Sequence, residues 1–269
     1  MVKISVIMGI YNCDSTLPEA INSIFAQTYE NWELILCDDG SNDSTYEVAE
    51  EFQKKYPDKI KLIRNPKNMG LNYTLNHCLE YADGELIARM DGDDLCSPDR
   101  FEKQVKFLET NPHIAIVSSD MEFFDDDGIF GKTNVAGSPT KQSFLKSTPF
   151  CHAAAMVRKE AYLAVEGYSV DEKLLRVEDY HLWIKMYEKG FCGANIKEPL
   201  YQMRDDRNAQ SRRKFKFRLN EAYVKAYAVK HLSLPIYDYI HCLKPIILGL
   251  VPSGMYKLLH RIKNSKSNI

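Results

Sequence analysis

Three carboxylates, those of Asp91, Asp93 and Asp94, crowd into four positions of the sequence. They directly follow a short apolar run over 85–90, which is typical of a buried strand. Carboxylates massed at the end of a strand repel one another unless a cation lies among them. Mn²⁺ and Mg²⁺ take oxygen ligands and commonly bind through one or two carboxylates together with substrate phosphates. The cluster therefore predicts a divalent metal that holds a phosphorylated ligand, with a solvated acidic turn as the alternative.

A second acidic pair, Asp38 and Asp39, closes another strand-like run and is followed by a glycine turn into a helix. A carboxylate at this position can accept a hydrogen bond from a ring N–H of a bound base. The alternative is simple helix capping by Asp43 and Ser44. Capping alone leaves the Asp38-Asp39 pair unexplained, so the pair is a candidate binding element.

The elements that must position these acids alternate between strand and helix over the first half of the chain. Such alternation predicts an α/β fold with a mostly parallel sheet and helices on both faces. Sheets of this kind bind ligands at the carboxyl ends of their strands, where both acidic clusters fall. Capping-box spacing at Thr16/Glu19 and Ser44/Glu47 marks two helix starts, and Ser97-Pro98 marks a third. The predicted strands cover 4–10, 33–37, 60–64 and 85–90, and the helices cover 17–27, 45–56, 71–81 and 97–110.

The second half is less regular. Short strands are predicted at 114–117, 121–124 and 152–157, with a hairpin turn at 125–128. A helix over 178–189 ends at Gly190, because glycine is the usual C-terminal stop. A basic amphipathic helix is predicted over 215–230.

Composition describes an ordinary globular chain of 269 residues with 45% hydrophobic and 27% charged residues. Its seven cysteines are scattered and form no Cys-x-x-Cys pair, which argues for a reducing compartment and against zinc or a disulfide framework. No secretory signal is recognised at the start. From Arg204 onward the chain holds 14 Lys+Arg against 4 Asp+Glu, and the preceding residues hold 21 against 33. A basic end on an acidic body indicates an anionic partner.

The apolar segment near the end of the sequence is too short to cross a bilayer. Its longest uncharged run, 245–256, is 12 residues long, whereas a spanning helix needs about 20. Basic residues flank the run, a pattern typical of a segment that lies in the headgroup interface. The alternative is a packed helix pair with a solvated basic face.

Five separated motifs, in order, resemble those of the family 2 glycosyltransferases, which are inverting enzymes of the GT-A fold. The resemblance covers roughly the first 205 residues. Any one motif is weak evidence, but the ordered set is specific. The motifs are Ser5-Val6-Ile7-Met8-Gly9-Ile10-Tyr11-Asn12, Asp38-Asp39-Gly40-Ser41-Asn42-Asp43, Asn68-Met69-Gly70-Leu71, Asp91-Gly92-Asp93-Asp94 with Pro98-Asp99-Arg100, and Glu178-Asp179-Tyr180-His181-Leu182-Trp183.

The resemblance implies roles in binding a nucleotide-sugar donor. Asp93 would ligate the Mn²⁺ or Mg²⁺ that bridges the donor diphosphate, and Asp91 would lie near both ribose and metal. Asp39 would accept from the uracil N3–H, with Asp38 close by. The other donor-side residues would be Tyr11 beside the nucleobase, Asp94 orienting the sugar, and Asn68 and Arg89, for which a turn and a strand-end salt bridge are alternatives.

The resemblance also implies the catalytic and acceptor side. Asp179, paired with Glu178, corresponds to the general base that takes the acceptor hydroxyl proton, so that one displacement turns an α-linked donor into a β-linkage. The alternative is a carboxylate favoured by the helix N-terminus. His152 would line the acceptor side. The basic cluster Arg204, Arg207, Arg212 and Arg213 would contact a diphosphate of the donor or of a lipid-linked acceptor, with a solvated turn as the alternative.

These expectations define a domain plan. Residues 1–205 form the GT-A catalytic domain, with a nucleotide-sugar half over 1–95 and an acceptor half over 96–205. Residues 206–269 form a basic helical tail with possible membrane association. The sequence lacks the Gln-x-x-Arg-Trp signature and membrane helices of processive synthases, so a single sugar is expected to be added.

The function expected from the resemblance is transfer of glucose from UDP-glucose, in a β-1,3 linkage, to an undecaprenyl-diphosphate-linked N-acetylhexosamine in O-antigen or other surface-polysaccharide assembly. The enzyme would be cytoplasmic and peripheral at the inner membrane, without a nucleic-acid partner. Galactose or an N-acetylhexosamine, for capsule or exopolysaccharide, is the alternative donor sugar. A non-catalytic nucleotide-sugar-binding scaffold is the other alternative. A sugar-1-phosphate nucleotidyltransferase is disfavoured because no basic glycine-rich loop follows the first strand.

Overall fold

The computed structural model describes residues 1–205 and 214–250. Strands and helices alternate through the first hundred residues, as the apolar periodicity predicts. The strands are β1 (Ile4–Ile10), β2 (Trp32–Asp38), β3 (Ile60–Arg64), β4 (Leu86–Arg89), β5 (Leu95–Cys96), β6 (Ile116–Asp125), β7 (Gly128–Lys132), β8 (Met156–Arg158) and β9 (Gly193–Arg204). The α-helices are α1 (Leu17–Phe25), α2 (Thr45–Lys55), α3 (Leu71–Glu80), α4 (Arg100–Thr110), α5 (Lys159–Ala164), α6 (Glu178–Glu188), α7 (Phe215–His231) and α8 (Leu243–Leu250).

The strands form one sheet in the order β3-β2-β1-β4-β8-β6-β9-β5, with β7 paired to β6. The first four strands of this order are parallel, and β6 is parallel to β9. The pairs β4–β8, β6–β8, β6–β7 and β5–β9 are antiparallel. The α/β fold class with helices on both faces is confirmed, and the second half contributes the antiparallel part of a mixed sheet.

The hydrophobic core lies on both faces of the sheet, because alternate strand residues point to opposite sides. Ile7, Ile35 and Ile87 belong to the cluster that includes residues of α3, α6 and α7. Val6 and Met8 belong to the cluster that includes residues of α1 and α4. Both clusters are fully buried at these strands, so the strand ends are held in fixed positions.

The sheet order also predicts a ligand-binding crevice at the carboxyl ends of β1, β2 and β4. The chain leaves β1 to pair β2 on one side, and β4 lies on the other side of β1. Loops that follow neighbouring strands diverge at such a reversal, and ligands bind there, beyond the carboxyl ends of the strands. The loops after β1, β2 and β4 carry Tyr11, Asp39 and Asp91, so the crevice gathers residues far apart in sequence.

Two strand predictions in the second half are wrong. The separate strands expected at 114–117 and 121–124 are the single strand β6, whose register with β9 shifts around Asp120. The strand expected at 152–157 begins only at Met156. Its first part is a turn in which the amides of Ala154 and Ala155 donate to the carbonyls of Cys151 and His152.

The predicted capping boxes are also wrong. The Thr16 hydroxyl donates instead to the carbonyls of Cys13 and Gly92, at 3.2 and 3.1 Å, and so ties the start of α1 to the acidic loop after β4. At α2 the Asp43 carboxylate accepts from the Thr45 amide at 3.0 Å, whereas Ser44 makes no side-chain cap. The fourth helix begins at Arg100, after Pro98.

The helix predicted over 215–230 is observed as α7, but it is not amphipathic. Arg218 and Lys225 are buried together with Val224 and Ala228, so polar and apolar side chains share its buried surface. Val224 and Ala228 belong to one of the two core clusters, which joins α7 to the sheet domain. Within the described residues, no helix combines the length and apolar character needed to span a bilayer.

Candidate active site

The first wall of the crevice is made by the loops that follow β1 and β2, which hydrogen-bond to each other. The amide of Asn12 donates to Ser41 Oγ at 3.1 Å, and the amide of Asn42 donates back to Asn12 Oδ1 at 2.9 Å. The amide of Cys13 donates to Thr45 Oγ1 at 2.7 Å. Asn12 adopts a left-handed φ of 48°, a conformation that asparagine tolerates better than most residues. Beside this fixed junction Tyr11 remains 43% exposed, available to a ligand.

Asp39, directly after β2, is nearly buried and accepts hydrogen bonds from the residues that follow β3. Its Oδ1 accepts from Asn65 Nδ2 and from the amide of Met69, both at 2.8 Å, and its Oδ2 accepts from the amide of Gly70 at 2.9 Å. A carboxylate has about four acceptor positions, so Oδ2 keeps capacity for one further N–H. Asn65, which sequence reasoning missed, is therefore part of this pocket.

Asp38 is fully buried and acts on the shape of the turn. Its Oδ2 pairs with Arg64 Nε at 2.8 Å, and its Oδ1 accepts from the Ser41 amide at 3.2 Å. Gly40 has a φ of +73°, and a Cβ there would lie 2.7–2.9 Å from the backbone of the loop that carries exposed Asn68. Any effect of Asp38 on a donor must pass through this turn.

The acidic cluster follows β4, which neighbours β1 on the side away from β2. Asp91, Asp93 and Asp94 each place one carboxylate oxygen within 4.8 Å of the others. Burial, followed by the charges of Asp91 and Asp93, raises the pKa of Asp94 to about 8. The pKa of Asp93 is also raised, by loss of solvation and by Asp91, although its side chain is exposed at the crevice. Mutual repulsion among oxygen donors is the condition that a hard divalent cation relieves, so these residues fit Mn²⁺ or Mg²⁺.

The three carboxylates are not equivalent as ligands. Asp94 Oδ2 accepts from the Tyr201 hydroxyl at 2.9 Å, and Asp94 Oδ1 accepts from the Arg204 amide at 2.8 Å. Its two oxygens are thus already engaged by β9. Asp91 and Asp93 are the better placed of the three to hold a metal.

Arg89 connects the acidic cluster to the acceptor side. It is buried, and its guanidinium pairs with Asp91. Burial opposes its charge, but Asp91 and other neighbours raise its pKa above the ordinary value. After the effect of burial, the same positive charge helps to lower the pKa of His152 and partly opposes the rise in the pKa of Asp179. The charge of buried Arg89 therefore acts both on Asp91, a candidate metal ligand, and on Asp179, the candidate base.

Asp179 stands in the first turn of α6, where a carboxylate is favoured by the helix N-terminus. Burial, followed by the charge of Glu178, raises its pKa to about 6. The Thr148 hydroxyl donates to Asp179 Oδ2 at 3.2 Å and opposes that rise. Glu178 Oε2 is buried without a hydrogen-bond partner in the described part of the chain. Asp179 is thus a carboxylate whose proton affinity is matched to near-neutral chemistry.

His152 lies in the turn that replaces the predicted strand. Its Nε2 and the Tyr168 hydroxyl are 2.7 Å apart, and its ring meets the Trp183 ring edge-on at 6.0 Å. Burial and the charge of Arg89 hold the pKa of His152 well below its usual range, so the imidazole is neutral at pH 7. It can therefore offer a neutral hydrogen-bonding surface near α6.

Arg204 contacts residues of three other segments, which lie on α1, in the turn after β6 and in the acidic loop after β4. Its Nη2 pairs with Glu19 at 2.8 Å, its Nη1 lies 3.6 Å from Asp126, and its Nε donates to the Asp93 carbonyl at 3.2 Å. The guanidinium also lies 4.6 Å from the centre of the Phe124 ring. The other predicted basic-loop residues, Arg207, Arg212 and Arg213, lie outside the described residues.

Sequence reasoning assigned no role to two residues that hold the acidic loop. Arg100 is wholly buried and donates to the carbonyls of Arg89, Ala153 and Ala155 at 2.9, 3.3 and 3.3 Å. Its guanidinium lies 5.1 Å from the ring centre of Tyr201, whose hydroxyl binds Asp94. The Pro98-Asp99-Arg100 motif is the sequence feature that could have identified Arg100. A lone tyrosine in a strand offers no such feature.

The family model for glycosyl transferase family 2 matches residues 5–165, more than half of the chain. The chain belongs to this family. The match spans the loops after β1, β2 and β4 and the turn at His152, so the family pattern and the crevice coincide over these elements.

Three curated relatives cover between 71% and 99% of the chain. A putative glycosyltransferase EpsE of Bacillus subtilis is 44% identical over 99% of this chain and 97% of its own length. A β-1,3-galactosyltransferase of Escherichia coli, named for UDP-Gal and α-D-GlcNAc-diphosphoundecaprenol, is 31% identical over 96% and 95%. A β-1,3-glucosyltransferase WfgD of Escherichia coli, named for UDP-Glc and the same acceptor, is 30% identical over 71% and 72%.

Solved structures support the fold. TarS of S. aureus in complex with UDP-GlcNAc superposes with a TM-score of 0.69 at 18% identity, covering 92% of this chain and 71% of TarS residues 1–349. The mannosyltransferase PcManGT of Pyrobaculum calidifontis, with GDP-Man and Mn²⁺, gives 0.66 at 17% identity, covering 98% and 80%. At these identities the likeness establishes the glycosyltransferase fold alone.

Proposed function

We propose that this family 2 glycosyltransferase transfers one hexose from a UDP-sugar, with inversion, to an N-acetylhexosamine carried on a polyprenyl diphosphate. The product would serve assembly of a cell-surface polysaccharide, with the enzyme at the cytoplasmic face of the membrane. The observation that carries the proposal is the cluster of Asp91, Asp93 and Asp94 carboxylates after β4, in which Asp91 pairs with buried Arg89, together with the buried carboxylate of Asp179 at the start of α6. The cluster suits a diphosphate and its cation, and Asp179 suits removal of a proton.

On the donor side, the uracil ring would bind to the loops that follow β1 and β2. Asp39 Oδ2 has the acceptor capacity for the ring N3–H, and Tyr11 is exposed to lie against the base. The hydrogen-bonded junction between the loops holds both in place before the donor arrives. Prior positioning of this kind lowers the ordering cost of binding.

The donor diphosphate belongs beside the acidic cluster. A divalent ion held by Asp91 and Asp93 would neutralise the charge that develops on the nucleoside diphosphate leaving group. Asp94, held by Tyr201 and by the Arg204 amide, fixes the loop on which those two ligands stand. Arg89 keeps Asp91 in one orientation by direct pairing.

On the acceptor side, Asp179 is proposed as the general base. Its raised pKa of about 6 leaves it charged at neutral pH but more proton-attracting than an ordinary aspartate. A deprotonated acceptor hydroxyl attacks the anomeric carbon as the bond to the diphosphate breaks. A single displacement inverts that carbon, so an α-linked donor gives a β-linked product.

Glucose in a β-1,3 linkage is our first choice, and galactose is the second. The two Escherichia coli relatives are named for one sugar each and for the same diphosphoundecaprenol acceptor. Glucose and galactose differ in the orientation of one hydroxyl. The choice between them depends on donor-pocket shape rather than on the catalytic array.

The test is transfer from a panel of UDP-sugars, with Mn²⁺, to a synthetic acyl-diphosphate-linked N-acetylhexosamine. We expect one donor to be used, and we expect transfer to be lost in both Asp93→Ala and Asp179→Asn. Glu178→Gln serves as the matched neighbour control and should retain more activity than Asp179→Asn. Absence of transfer from every donor, with UDP-sugar binding intact in calorimetry, would replace this proposal with the nucleotide-sugar-binding scaffold.

A further inference from the structure

The segment after α7 exposes an unusual series of large apolar side chains. Leu243, Ile247 and Leu250 on α8 are 52%, 59% and 71% exposed. Their spacing of four and then three residues places them on one face of the helix. In the preceding 3₁₀ turn, Ile236 and Ile240 are 83% and 66% exposed. We call these five residues the apolar face.

The apolar face is the side of α8 turned away from the protein. Pro245 is buried, and a Cβ added to Gly249 would lie 2.7 Å from the Phe215 ring of α7. One side of α8 therefore packs on α7 while the other carries aliphatic side chains into solvent. Five large aliphatic side chains exposed within fifteen residues indicate an interaction site.

We propose that the apolar face docks into the headgroup region of an anionic lipid bilayer. Tyr237 and Tyr239, 73% and 42% exposed beside it, have the apolar ring and polar tip that favour a membrane interface. Lys244 is exposed on the same helix. The sequence that follows, 251–269, adds four Lys+Arg residues and no acidic residue. Helices with an apolar side and basic surroundings lie in the interface plane, where basic residues are attracted to anionic lipid.

The charge of this region favours lipid over a second copy of the chain. Residues 214–269 contain ten Lys+Arg against two Asp+Glu. Two copies joined through the apolar face would bring two such regions together, which costs free energy through like-charge repulsion. An anionic lipid surface instead attracts this basic region.

Docking through this face would also fix the distance between Asp179 and the lipid surface. Asn220 Nδ2 on α7 donates to the carbonyls of Leu175 and Glu172 at 3.0 and 3.5 Å, just before α6 begins with the acid pair. Lys216 pairs with Glu172 at 3.4 Å. The chain of packed elements from α8 through α7 to α6 therefore links the docked face to Asp179. This consequence rests on the proposed function, in which the acceptor is lipid-linked.

The experiment compares the full-length wild-type chain with the double variant Ile240→Glu/Ile247→Glu. Leu163→Glu is the matched control, because Leu163 is 68% exposed but lies on α5. Co-sedimentation is measured with phosphatidylglycerol vesicles and with phosphatidylcholine vesicles. UDP-sugar hydrolysis in vesicle-free solution is measured in parallel, which separates loss of docking from loss of the proposed catalysis.

We expect wild type and Leu163→Glu to bind phosphatidylglycerol vesicles, with weaker binding to phosphatidylcholine. The double variant should lose binding by at least about tenfold, since two exposed aliphatic side chains that would enter the bilayer become charged. Its hydrolysis in solution should match wild type. Equal vesicle binding by the double variant would overturn the proposal, as would a wild-type dimer that the double variant converts to monomer. A wild type that leaves phosphatidylglycerol vesicles unbound, as a covered face would, overturns it too.

Discussion

Thr148 is the side chain through which the proton affinity of Asp179 can be changed without touching the carboxylate. Its hydroxyl donates to the charged form and so lowers the pKa of Asp179, which burial and Glu178 raise to about 6. A base works only when deprotonated, so kcat/KM of the wild type should rise with pH through about 6 and then level off. In Thr148→Val the stabilising hydrogen bond is lost, and the rising limb should move to higher pH.

The measurement is a pair of pH–rate profiles between pH 5 and 9. Thr148→Ser retains the hydroxyl and should reproduce the wild-type limb. Thr148→Val should lose most at pH 6 and little at pH 8. An unmoved limb would mean that Asp179 is not the group whose ionisation controls the rate.

Asp93 and Asp94 offer a second residue-level contrast. Asp93 is exposed at the crevice, whereas both oxygens of Asp94 are held by Tyr201 and the Arg204 amide. Asp93→Asn removes a proposed ligand charge, and Mn²⁺ affinity should fall by about tenfold or more. Asp94→Asn keeps an oxygen for the Arg204 amide and relieves repulsion, so its loss of affinity should be clearly smaller. Titration of Mn²⁺ by calorimetry ranks the two, and a reversed order would assign Asp94 as the ligand.

At the scale of elements, Arg100 shows how α4 holds the end of β4. Its guanidinium donates to three backbone carbonyls, of Arg89, Ala153 and Ala155, in a fully buried position. Arg100→Met removes this donor from all three carbonyls in a dry environment, although the Ala155 carbonyl still accepts from the Arg89 amide at 3.0 Å. We expect a loss of about 2–4 kcal/mol in the free energy of unfolding.

Arg158→Met is the matched control for that prediction. Arg158 also donates to backbone carbonyls, those of Ile114 and Leu108, but it is only partly buried, so water can replace it. Urea denaturation measures both variants. A loss in Arg100→Met no greater than in Arg158→Met would show that the carbonyls near β4 find other donors.

The same elements show what the sequence could predict. Strands β1 to β4 and the intervening helices follow apolar runs and helical spacing, so local pattern located them to within a few residues. The turn over 152–155 was predicted as strand because it is short and apolar. Its carbonyls at Ala153 and Ala154 instead accept from the side chains of Arg100 and Gln104 on α4, about fifty positions away in sequence. Local pattern carries no information about such a distant donor.

The candidate site divides in the same way. The acidic motifs at Asp39 and Asp91 were visible because several residues of one type stand together at strand ends. Tyr201 and Asn65 bind acids of these motifs from other elements, and Thr148 binds Asp179 in the same way. Their roles depend on the fold that brings β9 and the loops together, and a single tyrosine, asparagine or threonine has no sequence signal of its own.

At the scale of the whole molecule, charge is separated along the chain. The residues before Arg204 carry 33 acidic against 21 basic groups, and the balance reverses afterwards. An acidic body repels an anionic membrane, whereas the basic region attracts it. The molecule should therefore approach anionic lipid with one orientation, the one that brings α7 and α8 nearest the surface.

This separation leads to a prediction about salt. Attraction between basic residues and anionic headgroups is screened as the Debye length falls from about 10 Å at 0.1 M to about 3 Å at 1 M. Burial of Ile240, Ile247 and their neighbours is not screened in this way. Binding to phosphatidylglycerol vesicles should therefore weaken severalfold as NaCl is raised over this range, with a residual fraction retained. In Ile240→Glu/Ile247→Glu the residual fraction should vanish. Complete release of wild type by salt would assign docking to charge alone, and binding indifferent to salt would assign it to the apolar face alone.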